Sequence, residues 1–169
     1  MNLSKKVCDE ACHLLDAAMK KNENCVKQLT NEQIWWRPGQ DLCSIGNLLL
    51  HITGNLTQWG IAPITGEPDT RDRAAEFDSR LTLGRDVLMA KVRNTVAKSK
   101  SLFQTVSEDD LLRAHQIQGF DVTLMTAILH TSTHFVGHTH QVILLTRMQL
   151  GEKYEFEWSP ESGRDFLPI

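Results

Sequence analysis

Residues 121–150 read DVTLMTAILHTSTHFVGHTHQVILLTRMQL. No proline interrupts this stretch, and its apolar residues recur at helical spacing. That predicts one long amphipathic helix, capped at Asp121 or Thr123. Four of the seven histidines of the chain fall inside it: His130, His134, His138 and His140. A helix turns about 100° per residue, so side chains four apart stand about 40° apart, one turn above the other. His134 and His138 therefore point into the same space. With His134 set at zero, Ala127, Gln141 and Leu145 lie within about 20° and Leu124 and Val142 at about 80°, so the pair is expected on the core-facing side. Two imidazoles one turn apart are half of a metal site. The same pair also fits two core histidines bonded to carbonyls, so chemistry needs a further donor from another segment.

Working outward, residues 44–60 (SIGNLLLHITGNLTQWG) predict a second helix, with Ser44 as N-cap and Ile45, Leu48, Leu49, Ile52, Leu56 and Trp59 as its apolar face. His51 lies at the edge of that face, with Asn47, Asn55 and Gln58 on the same side. Ser4 to Leu29 predicts a first helix, with Ser4 as cap and an apolar stripe through Cys8, Ala11, Leu15, Ala18 and Cys25. His13 sits beside that stripe as a rim residue. Glu76 to Val106 predicts a third helix, carrying Phe77, Leu81, Leu88, Val92, Val96 and Phe103. Between the helices, residues 30–41 form a connector in which Trp35 and Trp36 cap one end by packing, and Pro38-Gly39 marks a turn. Residues 62–73 (APITGEPDTRDR) predict a long crossover loop, and 115–120 a linker. Ser107 is placed as the cap of a short helical turn. After Gly151 the helical period disappears, and an irregular tail anchored by Tyr154, Phe156, Trp158 and Phe166 is expected across the bundle surface. The fold class is therefore all-α: a four-helix bundle, one domain over residues 1–169.

Composition narrows the partners. With 169 residues, 41% of them hydrophobic and 23% charged, the chain has the make-up of a globular domain. A net charge of −3 and the absence of basic runs interleaved with aromatics argue against nucleic acid. No stretch approaches the roughly 18 unbroken apolar residues of a membrane span, and the amino terminus lacks a signal-peptide core. A cytoplasmic location is the expectation. Four cysteines are too sparse for a disulfide scaffold, and Cys8 and Cys12 read as small buried hydrophobes.

Helical bundles build their sites from side chains on facing helices. His51 on the second helix and His134 with His138 on the fourth then form a three-imidazole cluster. Imidazole suits Zn, Ni, Cu and Fe, and three protein ligands leave positions open for water or substrate. Asn55 and Gln141 are placed to hydrogen-bond and orient the ligands, and His130, one turn before His134, is a supporting neighbour. His140, about 120° from His134, is expected to face solvent or a partner subunit. No carboxylate stands at an obvious spacing from the three histidines, so no general base is named.

The words WWRPGQDLCSIGNLLLHITGNLTQW (residues 35–59) and STHFVGHTHQVILLTRM (residues 132–148) resemble the DinB-like metal-binding four-helix bundles, a family that includes the bacillithiol and mycothiol S-transferases. The likeness extends over nearly the whole chain: a cap residue (Ser44) seven positions before a first histidine (His51), then H-x-x-x-H in the last helix. His140 departs from the family, which carries glycine there. The resemblance implies a divalent metal held by His51, His134 and His138 without naming the metal; Zn or Ni is expected first, with Mn as an alternative. It also implies a homodimer and a small-molecule substrate such as a low-molecular-weight thiol. Thiol S-transfer is the expected activity; metal-dependent hydrolysis and a non-enzymatic metal-binding stress protein are the alternatives.

Overall fold

Four long helices carry the chain through the bundle that the sequence predicts: α1 (Leu3–Lys27), α3 (Ile45–Leu56), α6 (Arg85–Phe103) and α8 (Leu124–Leu150). The computed structural model describes residues 3–78 and 83–157. Short helices α2 (Asn31–Trp35), α4 (Ala62–Thr65), α5 (Arg73–Asp78) and α7 (Glu108–Leu112) lie between them. A two-stranded antiparallel hairpin, β1 (Ala114–Ile117) and β2 (Phe120–Thr123), precedes α8. Helix α1 lies along α8, and α3 is flanked by α6 and α8. Leu15, Leu49, Ile52, Leu88, Phe103, Ile128 and Phe135 are fully buried between them. Each such side chain contributes about 1.5–3 kcal/mol on leaving water. Among the described residues no helix is long and apolar enough to cross a membrane.

The structure alters several boundaries. α3 does not stop at Gly60: a π-helical turn, Thr57–Ile61, passes into α4, because Pro63 in the first turn of a helix has no intrahelical hydrogen bond to lose. Gly66, with φ +73°, ends that run. The expected loop is thus shortened to residues 66–72. The expected third helix is split into α5 and α6; Leu81 lies outside the described residues. The expected linker is the hairpin, whose turn places Gln118 (φ 53°) and Gly119 (φ 82°) in the left-handed region. Ser4 is buried inside the first turn of α1, and the Leu3 amide donates instead to Glu108 Oε1 at 2.9 Å.

Other expectations hold. Ser44, Ser107 and Thr123 are N-caps, each accepting a backbone N–H from three residues on. Cys8 and Cys12 are buried free thiols, and desolvation pushes Cys8 up to about 11. Trp35 lies on α3 against Gly46, where a Cβ would stand 2.7 Å from the indole, and its Nε1 donates to the Leu83 carbonyl. Trp36 is exposed, so one tryptophan of the pair does the capping. The tail runs irregularly along α1: Asn24 Nδ2 and Gln28 Nε2 both donate to the Glu155 carbonyl. Tyr154 packs on the core, and the exposed Phe156 meets it edge to face, ring centroids 5.0 Å apart. Trp158 and Phe166 lie outside the described residues.

Candidate metal centre

The site begins with the capping box of α3. Ser44 Oγ accepts from the Asn47 amide at 3.1 Å, and Asn47 Oδ1 accepts from the Ser44 amide at 3.1 Å, which fixes the first turn. Two turns on, His51 is 4% exposed, beside the buried stripe of Leu48 and Ile52. On α8 the buried stripe runs through Ile128, Thr131, Phe135, Thr139 and Val142. His134 and His138 lie at the margin of that stripe, half-buried; the angular argument put them on the core-facing side, whose centre other residues occupy. Small hydroxyl residues account for the difference. Thr131 and Thr139 turn their hydroxyls onto Asn55 and the Phe135 carbonyl and fit the tight interior, while the imidazoles take the wider edge facing α3.

The three rings meet across the α3–α8 interface. His51 Nε2 and His134 Nε2 stand 2.9 Å apart. The ring centroids of His51 and His138 are 4.8 Å apart, and those of His134 and His138 are 4.4 Å apart. One nitrogen from each ring lies within 4.8 Å of the others, the geometry of a group able to hold a metal ion. His138 Nδ1 is 2.9 Å from Gln141 Oε1, which turns Nε2 of that ring towards the others. Burial lowers the His134 pKa to about 3, with His138, His51, His130 and Arg71 adding to the effect. Burial likewise lowers His138. Both rings are therefore uncharged near neutral pH, with a lone pair available.

The donor set fits a divalent ion. Two imidazole nitrogens on one ion, with bonds of about 2.0–2.1 Å, stand roughly 3 Å apart, as His51 Nε2 and His134 Nε2 do. Imidazole suits borderline ions such as Zn and Ni better than Mg or Ca.

Two residues that the sequence did not single out complete the site. Glu76 Oε2 is 2.9 Å from His51 Nδ1, on the side of the ring away from His134. Arg71 grips the same carboxylate in a fork, Nε to Oε1 at 2.7 Å and Nη2 to Oε2 at 2.8 Å, and its Nη1 donates to Gln58 Oε1 at 2.8 Å. Side chains of Arg71 and Glu76 are 5% and 11% exposed, so the pair is held out of water. Burial pushes the Glu76 carboxyl up, but the hydrogen bonds from Arg71 and His51 outweigh it and the group stays below the usual glutamate range. Asn47 Nδ2 donates to the Glu76 carbonyl and Arg37 Nη2 to the Phe77 carbonyl, which seats α5 on α3. The sequence reads Arg71 as part of a charge-alternating loop ending at Arg73 and Glu76 as the start of the third helix; only the apolar Phe77, whose ring lies tilted 4.7 Å from His51, hinted at burial.

The remaining candidates separate cleanly. Gln141 is exposed and bonded to His138. Asn55 is buried and accepts from Thr131 Oγ1 at 2.8 Å, so it joins α3 to α8 without touching the three histidines. His130 is exposed, stacked between Trp59 (4.3 Å) and His134 (5.5 Å). His140 is exposed, and His13 is half-buried.

Comparison with known proteins places the fold and the family. Residues 2–160 match the family described as "Protein of unknown function (DUF1572)", and the chain belongs to that family. A conserved protein from Enterococcus faecalis has a similar crystal structure, with TM-score 0.74 and 17% identity over 89% of this chain and 99% of that one. A DinB-like protein from Bacillus cereus is similar at TM-score 0.60 and 17% identity, over 80% of this chain and 90% of that one. The fold is thus DinB-like. No curated protein matches the chain.

Proposed function

We propose that this DUF1572 member binds a divalent metal ion through His51, His134 and His138, Zn or Ni in first place and Mn as an alternative, and uses it in chemistry on a small molecule. The observation that carries this reading is the convergence of three ring nitrogens from two helices, two of them 2.9 Å apart. When bound, such an ion supplies Lewis acidity, lowering the pKa of a coordinated water or ionising a coordinated thiol. The protein's part is to hold the three rings, to keep His134 and His138 uncharged by burial, and to leave the solvent side of the cluster to a substrate.

Transfer of a low-molecular-weight thiol onto an electrophile, as in the bacillithiol and mycothiol S-transferases that the sequence resembles, is the favoured reaction. Hydrolysis of a poor substrate calls for a general base beside the attacking water. The carboxylate nearest the cluster, Glu76, is engaged by Arg71 and by His51 Nδ1. A thiol, with a free pKa near 8.5, needs far less help to ionise than water. The test is to incubate metal-loaded protein with cysteine, glutathione, bacillithiol or mycothiol and monochlorobimane. Conjugation faster than buffer with at least one thiol, abolished in His134→Ala, supports the transferase. No acceleration with any of them rejects it and leaves a metal-binding protein or hydrolase.

A further inference from the structure

The loop between α4 and α5 carries a device that acts on His51 from behind. Nδ1 of His51 faces an ionised carboxylate at 2.9 Å and the Arg71 Nη2 at 3.0 Å. A bare lone pair on Nδ1 would accept from Nη2 but confront the closer, charged Glu76 oxygen; a proton on Nδ1 lets His51 and Arg71 both donate to Oε2. From this geometry we infer that Arg71 and Glu76 are positioning residues, a clip that fixes His51 as the Nδ1–H tautomer with Nε2 turned to the ion, and that the clip is itself held from the β1–β2 turn by Gln118 through Gln58.

Three observations point the same way. The clip is seated on a glycine: a Cβ at Gly54 would stand 1.9 Å from Glu76 Oε1 and 2.8 Å from Arg71 Nε, so no larger residue fits beneath the ion pair. Gln58 Oε1 accepts from both Arg71 Nη1 and Gln118 Nε2, each at 2.8 Å, and Gln58 Nε2 is occupied by Asp69. Gln58 is therefore saturated on the side that steadies the guanidinium. Gln118 is, among the described residues, the one non-glycine with positive φ (53°). That conformation is strained for any residue with a Cβ, and at this position the side chain reaches Gln58. Carboxylate partners of metal-binding imidazoles fix tautomer and ring orientation, and losing one typically weakens metal binding 10–100-fold.

The inference rests on the proposed metal-binding reading, and two readouts keep the two apart. Long-range ¹H–¹⁵N NMR on metal-free protein reports which His51 nitrogen carries the proton, whether or not a metal is ever bound. Competitive Co(II) titration reports affinity. Wild-type protein is expected to show His51 protonated at Nδ1. Gly54→Ala, which displaces the clip without changing its charges, and the double variant R71M/E76Q, which removes the pair without leaving a lone charge, are expected to shift His51 towards Nε2–H and weaken Co(II) about 10–100-fold. Gln118→Gly removes the backbone strain and the hydrogen bond together. It is expected to weaken Co(II) several-fold without lowering the melting midpoint, an outcome that a purely structural role for Gln118 does not give. A wild-type His51 protonated at Nε2, or unchanged tautomer and affinity in the first two variants, overturns the clip; unchanged affinity in Gln118→Gly overturns its link to the hairpin. An Nδ1–H His51 that the variants switch, in a protein that takes up no metal, supports the clip and refutes the metal reading.

Discussion

At the scale of single residues, the site is a set of groups held in their deprotonated forms. His134 is held far below its ordinary pKa by burial first, then by its neighbours. A histidine depressed in the folded state takes up its proton in the unfolded chain first, so the stability it confers is complete above about pH 6.5 and is lost as pH falls towards about 3. Metal-free His134→Gln should therefore show a shallower loss of stability between pH 6.5 and 4, by roughly one proton. Urea unfolding across that range measures the slope; an identical slope in the variant contradicts the assignment. Glu76 acts in the same direction: its lowered pKa contributes stability above the ordinary glutamate pKa that is lost as pH falls through the folded value. The histidines were legible in the sequence because helical spacing puts positions four apart on one side. Arg71 and Glu76 were not, because nothing in a run of alternating charges tells a solvated loop from one folded over a buried imidazole, and a glutamate opening a helix reads as a solvated first-turn residue.

At the scale of elements, close approach decides which substitutions the bundle tolerates. Gly46 lies under the Trp35 ring, and a methyl there meets indole carbons at 2.7–2.8 Å. Gly46→Ala should cost about 1–3 kcal/mol as overpacking, read as a lower urea midpoint with unchanged slope. A cost below about 0.5 kcal/mol would show that Trp35 moves aside freely. The four long helices, the caps of two of them and the Ser107 cap of α7 could be read from periodicity and from Ser or Thr before an apolar run. What escaped was the π-helical turn and α4, since Gly60 and Pro63 ordinarily end a helix, and the hairpin at 114–123, too short to show alternation. The angular reading of α8 put the histidines on the core-facing side but could not rank them within it, because a helical wheel ranks apolar residues and cannot see Ser132, Thr139 and Thr146 buried by back-bonded hydroxyls or Thr131 buried by its bond to Asn55.

For the whole molecule, the core supplies stability and the α3–α8 interface supplies the site. Phe135, 1% exposed, should cost about 3–5 kcal/mol when changed to Ala, and thermal or urea unfolding measures it; a loss under 1 kcal/mol would mean the helices re-close around the gap. The homodimer implied by the resemblance is a proposal that analytical ultracentrifugation tests; α8 exposes Leu144 and Met148 outward, and a monomer at micromolar concentration rejects it. Because the three proposed ligands come from two helices, ion binding should tie those helices together and raise the melting midpoint in proportion to the logarithm of free metal. The most direct test of the account is metal content and Co(II) uptake of purified wild-type protein beside His51→Ala and His134→Ala. One ion per chain in wild type, lost in both variants and removed by chelation with a fall in melting midpoint, is the predicted result. Wild-type protein that takes up no metal, or variants that bind it as well as wild type, contradicts it.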